Sequence, residues 1–284
     1  IDNMVRYSTG YIQIQDVLFE EEPSMDNSLL YGEEVSKVLD TNAEDIAYTI
    51  PRIQNFALVS AGSMSRGAMV MGIEPESEDK INNLSDRLIK GDFLNVHDHD
   101  ILLAEGLAGI LNVDIGDSLI LLGQGFQGTT ASGIYRIKGI LNLNVPDIND
   151  NFIYMALPEA QWFYGAEDRL TSLVVMPVNP KRSKQLIERL SAGLDPEWYR
   201  VLSWEDLLKD LLALMKFDIA GSMVMLGILY MVIAFGLFGT MLTMLLERKK
   251  EHAMLCALGM KRSRLAGISF MESILLSLAG ALAG

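Results

Sequence analysis

The sequence has few of the residues on which enzymes and disulfide-stabilised domains depend. Of 284 residues, one is cysteine (Cys256) and three are histidine. No disulfide can therefore form within the chain, and a domain of about 200 residues buries enough apolar surface to be stable without one. The motifs G-x-x-x-x-G-K-[ST] and G-x-S-x-G are absent, which argues against P-loop and α/β-hydrolase chemistry. We predict that the chain is not an enzyme and binds no cofactor or metal.

Basic residues are scarce, and those present are unevenly placed. The net charge is -14. Residues 219–284 hold six basic and three acidic side chains, a balance of +3, so the other 218 residues carry -17. An acidic portion of this size argues against a nucleic-acid partner, because phosphates require a basic surface.

Charge is missing altogether from the 28 residues between Ile219 and Leu246. A helix of this length is about 42 Å long, more than the roughly 30 Å hydrocarbon core of a bilayer. The basic stretch that begins at Glu247-Arg248-Lys249-Lys250 follows directly. The positive-inside rule therefore predicts a membrane-spanning helix with the basic loop in the cytoplasm and the acidic portion outside.

A second apolar stretch, Leu265 to Gly284, carries one charge, Glu272. We predict a second spanning helix here. The sequence also begins without an initiator Met and stops inside this apolar stretch, so we expect it to be a segment of a longer protein.

The acidic portion alternates strands and helices in a pattern typical of an α+β domain. Two β-α-β passages are expected, with strands at Tyr11–Gln15, Ala47–Val59 (interrupted by Pro51), Leu173–Val178 and Tyr199–Leu202 and helices at Glu33–Leu39 and Lys181–Leu194. Between the passages we predict an inserted α/β subdomain. Its expected elements are helices at Lys80–Lys90 (ending on Gly91), at Glu105–Leu111 and after Pro158, with strands at Ile101–Leu103, Ser118–Leu122, Ile134–Leu143 and Phe152–Met155.

Ser203 and Asp206 have the spacing of a capping box. From there the apolar residues keep a helical period into the uncharged run, without proline. We predict one continuous helix of about 43 residues, roughly 65 Å, whose first ~20 Å stands outside the bilayer. The predicted divisions are a core domain (1–73 and 166–204), an inserted subdomain (74–165), a stalk and spanning helix (205–246), a cytoplasmic segment (247–264) and a next spanning helix (265–284).

Several short motifs resemble the MacB/FtsX-type permease subunits of ABC transporters, which include the lipoprotein-releasing permeases. In the cytoplasmic segment and the second span these are Glu247-Arg248-Lys249-Lys250-Glu251, Ala257-Leu258-Gly259-Met260, Phe270-Met271-Glu272-Ser273 and the small residues Gly280 and Gly284. In the acidic portion they are Val70 to Pro75, Ile101 to Ala108, Val113 to Ser118 and Ile137 to Ile140, and Gly10 to Ile14 is similar to the lipoprotein-releasing branch.

The resemblance implies a four-helix permease of the bacterial inner membrane, with the acidic domain in the periplasm and an FtsX-like region over 219–284. The first helix would precede Ile1 and the fourth would follow Gly284. It also implies two paired permease chains, identical or related, and a separate cytoplasmic ABC ATPase. ATP-driven movement of the stalks would move the outer domains, which act on a lipoprotein or another hydrophobic substrate.

The resemblance also implies which residues contact the ATPase, namely Glu247, Arg248, Glu251, Ala257, Leu258, Gly259 and Met260. Lys and Arg here also suit contacts with lipid headgroups, and Gly259 equally suits a helix C-cap. Glu272 is predicted to be an intramembrane polar residue that faces a partner helix or a polar gap, or is protonated. The alternative is that its helix starts later and Glu272 lies near the interface.

Two further motifs are interpreted as loops. His97-Asp98-His99-Asp100 has metal-ligand residue types, but the part outside the membrane has no other Cys or His, so we predict a solvated loop. Gly123 to Gly128 matches G-x-G-x-x-G, yet a β-like run follows where a dinucleotide site needs a helix. We predict a flexible hairpin loop there, which could touch substrate.

Two functions remain open. The first is a mechanical transport permease. The second is a transmembrane regulator that switches on a cell-wall hydrolase without transport. A contiguous apolar cleft or patch would favour the first, because a lipid-handling site needs one. A third class, a membrane-anchored enzyme, finds no converging site residues.

Overall fold

The structure, a computed structural model, describes residues 10–283, without the side chains of Ser273 and of residues 276–279 and 281–283. The chain divides into two compact units, residues 1–209 (the head) and 210–284 (the helical unit). The first nine residues of the predicted core domain, and Gly284 at the end of the predicted second span, lie outside the described residues.

The head combines strands and short helices in an α+β arrangement. Its strands are β1 (Ile12–Asp16), β2 (Leu29–Leu30), β3 (Ile46–Ala61), β4 (Met64–Ile73), β5 (Leu88–Gly91), β6 (Ile101–Ala104), β7 (Ser118–Gln124), β8 (Thr130–Leu141), β9 (Phe152–Ala156), β10 (Arg169–Leu170), β11 (Ser172–Pro177) and β12 (Tyr199–Ser203). Its α-helices are α1 (Glu33–Thr41), α2 (Pro75–Asn82), α3 (Glu105–Leu111), α4 (Pro146–Asn149), α5 (Leu157–Tyr164), α6 (Ser183–Gly193) and α7 (Trp204–Leu207).

One end of the main sheet has the strand order β12-β1-β11-β3, with every neighbouring pair antiparallel. β1 and β3 are therefore parallel and are joined across β11 by α1, and β11 and β12 are joined across β1 by α6. This is the split β-α-β arrangement of ferredoxin-like sheets. Ile12 and Ile14 of β1 pack with Val35 of α1 and with Leu186 and Leu190 of α6 in one buried cluster.

The other end of the sheet closes on itself. β3 pairs with β4, β4 with β9, β9 with β6, β6 with β8, β8 with β7, and β7 returns to β3. The resulting six-stranded barrel encloses the largest apolar cluster, to which α3 and α5 also contribute. Closure leaves these strands with few free edges, as β proteins require to avoid aggregation.

β3 belongs to both ends of the sheet. Its residues 46–52 pair with β11, whereas residues 52–61 pair with β4. The strand is continuous through Pro51, which corrects the interruption predicted there. Pro51 lies opposite Leu173 of β11, and the ladder to β4 begins one residue later at Arg52. The missing N–H of proline is therefore tolerated, as it is beside an unpaired edge.

The predicted helix at Lys80–Lys90 is wrong. α2 ends at Asn82, and a 3-10 turn at Ser85–Arg87 leads into β5, which contains Lys90 and Gly91. The carboxylate of Asp79 accepts hydrogen bonds from the backbone N–H and the hydroxyl of Ser85, both at 2.7 Å. Asn83 takes a left-handed conformation, which ends the helix.

The predicted single helix from the capping box through the apolar run is also corrected. Ser203 and Asp206 do form the capping box, but α7 stops at Leu207, and Leu208 leaves helical geometry with φ -106° and ψ 18°. α8 then runs without a break over Lys209–Glu247. Asp206 is held by Ser203, and Lys209 pairs with Glu20 at 2.6 Å, so the chain turns between two fixed points.

The helical unit consists of α8 followed by α9 (Lys249–Ala257) and α10 (Arg262–Ala283). Within the described residues, α8 is the helix that is long and apolar enough to cross a membrane. Its 39 residues correspond to about 58 Å. The second span predicted at Leu265–Gly284 falls on α10 and stays a prediction.

Candidate functional site

A cleft of about 500 Å³ opens on the surface of the barrel, with a predominantly apolar lining. One wall is the N-terminal half of β8, where Ile134 is 73% exposed. The other wall is α5, where Trp162 is 66% exposed while its neighbours Ala160 and Phe163 are buried. Both side chains line one concave and largely apolar recess, which is the shape that small-molecule and peptide sites use.

The polar floor of the cleft is a chain of three side chains. The hydroxyl of Tyr135 donates a hydrogen bond of 2.9 Å to Glu159, and the other carboxylate oxygen of Glu159 contacts Nδ1 of His99. Tyr135 and Glu159 are buried, whereas His99 lies at the surface. Burial first, and the bond to Glu159 second, raise the pKa of the Tyr135 hydroxyl. Tyr135 therefore remains a hydrogen-bond donor at neutral pH and fixes Glu159.

The packing of the Tyr135 ring and the start of α5 position the polar side chains of this floor. A Cβ on Gly133 would lie 2.6 Å from the ring of Tyr135, so the ring covers a position where only glycine fits. The same ring meets Phe163 edge-on at 5.7 Å between centroids. Pro158 opens α5 in its first turn, which sets Glu159 beside the mouth of the cleft.

A second cavity of about 260 Å³ shares Trp162 with the first. It is lined by Phe126 and Arg169, and the guanidinium of Arg169 lies 4.1 Å from the Phe126 ring centroid. The two cavities therefore lie on either side of Trp162.

The predicted loop at His97–Asp100 precedes β6 as expected. It has a role that the sequence did not reveal, because His97, Asp98 and His99 line the cleft. Asp98 pairs with Lys138 and Asp100 with Arg136 of β8, so the loop is fixed against the barrel. No metal-ligand group of three or more His, Cys, Asp or Glu side chains occurs within residues 10–283.

A hairpin connection between β7 and β8 is present as predicted, but Gly123 and Gln124 belong to β7, so the loop is limited to residues 125–129. It is held back against the head. The N–H of Gln127 donates to Asp26 at 2.5 Å, and a Cβ on Gly125 would meet the carbonyl oxygen of Tyr164 at 2.5 Å. The turn therefore packs beside the C-terminal end of α5.

Glu20 forms two ion pairs at the C-terminal end of the head. Its carboxylate pairs with Lys209 at 2.6 Å and with Arg200 of β12 at 2.9 Å. The hydrogen bond from Lys209 is the main cause that holds the pKa of Glu20 below its usual value of 4.5, with further lowering by Arg200. Lys209, the last residue of the head, is thus joined to β12 through one acidic side chain.

In the helical unit, α9 ends in a Schellman motif at the predicted contact segment. The N–H of Met260 donates to Leu255 at 3.1 Å and that of Gly259 to Cys256 at 3.0 Å, with φ +95° at Gly259. Gly259 therefore has the C-cap geometry that the sequence left open as an alternative. The side chain of Leu258 is 80% exposed at this turn.

Glu272 forms an ion pair with Arg248 within the helical unit. The Nη1 of Arg248, at the junction of α8 and α9, lies 2.8 Å and 3.1 Å from its two carboxylate oxygens. An acidic side chain next to an apolar segment is costly when unpaired. The position of Glu272 relative to the membrane stays a prediction.

Comparison with known proteins assigns the C-terminal part. Residues 223–284 match the family described as FtsX-like permease C-terminal. The chain carries an FtsX-like permease region. This region starts inside α8 and includes α9, α10 and the Arg248–Glu272 pair.

Curated relatives extend the similarity into the head. The lipoprotein-releasing system transmembrane protein LolC of Neisseria meningitidis is 22% identical over 252 residues, which are 86% of this chain and 60% of that protein. LolC of Xylella fastidiosa is 24% identical over 246 residues, 84% of this chain and 59% of that protein. The chain thus spans about three fifths of these relatives. The resemblance to MacB/FtsX-type permeases is confirmed.

Solved structures with similar coordinates include two domains of transporters. The periplasmic region of MacB from Actinobacillus actinomycetemcomitans aligns with a TM-score of 0.49 and 16% identity, covering 74% of this chain and 96% of that one. The extracellular domain of the noncanonic ABC-type transporter YknZ from Gram-positive bacteria aligns with a TM-score of 0.49 and 10% identity, covering 68% and 100%.

The FtsX-like region contains all the predicted site residues, but sequence reasoning missed the cleft. Trp162, Glu159 and Ile134 are far from His99 along the chain, and only the closed barrel brings them together. One local signal was available. Trp162 occupies an outward position of a helix whose other aromatic residues, Phe163 and Tyr164, are buried.

Proposed function

We propose that this chain is a permease subunit of an ABC transporter, in which ATP hydrolysis on a separate cytoplasmic subunit drives movement of the head to release or export a lipoprotein or another hydrophobic substrate. The observation that carries the proposal is the FtsX-like match over residues 223–284, which begins inside the uncharged part of α8 and continues through the basic segment. The LolC relatives, whose names state lipoprotein release, match the head as well.

The proposed location is the bacterial inner membrane. α8 crosses the bilayer, the acidic head lies in the periplasm and the basic segment in the cytoplasm, in accord with the positive-inside rule. α10 is the next span of a multi-pass protein, and two permease chains, identical or related, pair in the membrane. Lipid surrounds both spans.

The proposed path of the mechanical force is α8. It has no break between Lys209 and Glu247, and a continuous α-helix transmits displacement better than a loop. At its outer end Glu20 ties Lys209 to Arg200 of the head. At its inner end it stops at Glu247, next to Arg248 and the start of α9.

The proposed docking surface for the ATPase is α9 together with the residues that flank it. It comprises Glu247, Glu251, Ala257, Leu258, Gly259 and Met260, with Arg248 beside them in its pair with Glu272. An exposed leucine at the tip of a capped turn suits insertion into a pocket of a partner. The charged residues around it would set the orientation.

The apolar cleft favours transport over regulation of a cell-wall hydrolase. A regulator needs only an exposed epitope, whereas a hydrophobic substrate needs a contiguous apolar recess, and the cleft between Ile134 and Trp162 is one. Regulation of a hydrolase is therefore the alternative that the crosslinking experiment below distinguishes from transport.

The test is purification of the tagged full-length protein from its own membranes. We expect an ABC ATPase to co-purify, and Leu258→Asp to abolish this without lowering the yield of folded protein. Val178→Asp, the same change at an exposed apolar residue of the head, is the control and should have no effect. The proposal is wrong if no ATPase accompanies the unaltered protein.

A second arm addresses the substrate. A photo-crosslinking amino acid in place of Trp162 should capture a lipoprotein or another membrane-derived molecule. Capture of a cell-wall hydrolase instead would establish the regulatory alternative.

A further inference from the structure

β8 has an open edge beside α5. Over residues 130–136 every strand pairing of β8 is with β7, whereas β6 joins its other side only from Ile137 onward. Within the described residues, no strand therefore covers this second edge of the N-terminal half of β8. The cleft between Ile134 and Trp162 lies along it.

The hydrogen-bonding direction of each residue follows from the ladder. The N–H of Ile137 donates to Asp117 at 2.9 Å, on the β7 side. Backbone groups point alternately to the two sides of a strand. The backbone N–H and C=O groups of Gly133 and Tyr135 therefore point toward β7. Those of Ser132 and Ile134 point to the opposite side, toward the cleft.

The opposite wall is a helix that runs along this edge. Glu159 near the start of α5 meets Tyr135, and the carbonyl of Tyr164 at its end lies against Gly125 in the hairpin turn. The groove thus has a strand edge on one side and a helix on the other. Its far end is closed by the contact of His99 with Glu159.

We propose that this groove binds an extended polypeptide segment, which adds to the barrel as a strand beside residues 130–136 of β8. The occupant is specified by the groove's own chemistry. Unpaired backbone donors and acceptors at alternate residues are matched by another backbone in β conformation, and the apolar recesses beside Trp162 accept alternate side chains. An acyl chain would fill the recess but leave the polar groups of Ser132 and Ile134 without partners.

Charge further defines the segment. Residues 1–218 carry a net charge of -17, so basic residues flanking the bound strand favour its approach to the head. The segment is therefore short, alternates apolar side chains and has basic ends. This inference rests on the proposed function in that it concerns the same cleft, and it specifies that a polypeptide segment, not an acyl chain, occupies it.

The experiment uses the full-length protein in lipid nanodiscs and a seven-residue peptide of alternating valine and threonine between terminal lysines. Two matched peptides carry N-methyl groups, one on the valine amides and the other on the threonine amides. We expect the parent peptide to slow hydrogen exchange at the amides of Ser132 and Ile134. One methylated peptide should bind at least about tenfold more weakly and the other nearly as well as the parent, because only one set of amides faces β8.

Variants of the protein test the same bonds from the other side. Ile134→Pro removes the donor at an unpaired edge, and Ile134→Ala removes only the side chain. If the Ile134→Pro variant binds the peptide more weakly than the Ile134→Ala variant, the proposal is supported. If the Ile134→Pro variant does not fold, the comparison of the two methylated peptides tests the proposal instead.

Three results would overturn it. These are equal affinity of all three peptides, absence of protection at Ser132 and Ile134, and equal protection of these amides by palmitate. None of them depends on an ATPase, so this inference and the proposed function fail separately.

Discussion

Arg248 and Glu272 join the end of α8 to α10 through two contacts of 2.8 Å and 3.1 Å from one guanidinium nitrogen. Both side chains are partly exposed within the helical unit. The pair is 24 residues apart in sequence and brackets α9, the proposed docking segment. The geometry of this pair therefore affects the orientation of α9 within the helical unit.

We predict that Arg248→Glu and Glu272→Arg each lower the thermal stability of the full-length protein in nanodiscs, and that the double exchange restores most of it. A partly exposed pair is worth about 1 kcal/mol. A double-mutant cycle measures the coupling. Strictly additive effects of the two changes would show that the pair does not contribute.

Arg52 and Glu78 form a buried bidentate pair between β3 and α2, with N–O distances of 2.8 Å and 2.7 Å. Arg52→Met leaves the carboxylate of Glu78 buried without its cation, so we expect the free energy of unfolding to fall by about 3–5 kcal/mol. Urea unfolding followed by tryptophan fluorescence measures it.

The control for this change is Lys90→Met, which breaks the exposed pair with Asp114. Surface pairs contribute about 0–1 kcal/mol. A similar loss for both variants would contradict the distinction between the buried and the exposed pair.

Glu20 makes the stability of the head depend on pH. Because its folded pKa lies below 4.5, the pair with Lys209 stabilises the folded head above the unfolded pKa and is lost as pH falls through the folded value. We expect Glu20→Gln to be less stable than the unaltered protein near neutral pH, by less than about 1 kcal/mol since the group is partly exposed. As the pH falls through the folded pKa of Glu20, the difference should vanish.

Glu44→Gln serves as the comparison, since Glu44 is exposed and forms no ion pair among residues 10–283. The thermal stability of both variants is measured by thermal unfolding between pH 3 and about 8. If Glu20→Gln and Glu44→Gln behaved alike across this range, the Glu20–Lys209 pair would have no energetic role.

Gly259 adopts φ +95°, where a Cβ is strained although no neighbouring atom lies within 4 Å. Gly259→Ala should open the Schellman turn at a cost of about 1 kcal/mol. Hydrogen exchange at the amide of Met260, which donates to Leu255, should then be several-fold faster. Gly267→Ala, within α10 and also free of neighbours, should leave this exchange rate unchanged.

Local chemistry in the sequence was enough to predict several elements of the structure. The apolar period and flanking residues placed α3 at Glu105–Leu111, and the Ser203–Asp206 spacing predicted the capping box that is present. The uncharged run of 28 residues predicted most of α8. Each of these elements depends on residues within a few positions of one another.

Non-local pairing could not be predicted in this way. The contact of β7 with β3 closes the barrel by joining Leu58 to Leu122, and no pattern within either strand encodes that choice. The cleft depends on this closure, so its residues could not be grouped from the sequence. The error at Lys80–Lys90 has a similar origin, since β5 is stabilised by its ladder to β8 and not by local propensity.

The sixteen residues of β3 have a consequence for how the head responds to load. Most two-part domains meet at a flexible linker, which absorbs strain by bending. Here a single extended backbone is shared, hydrogen-bonded to β11 at one end and to β4 and β7 at the other. A force applied to the ferredoxin-like end is therefore transmitted through β3 and must stretch or tilt the strands of the barrel.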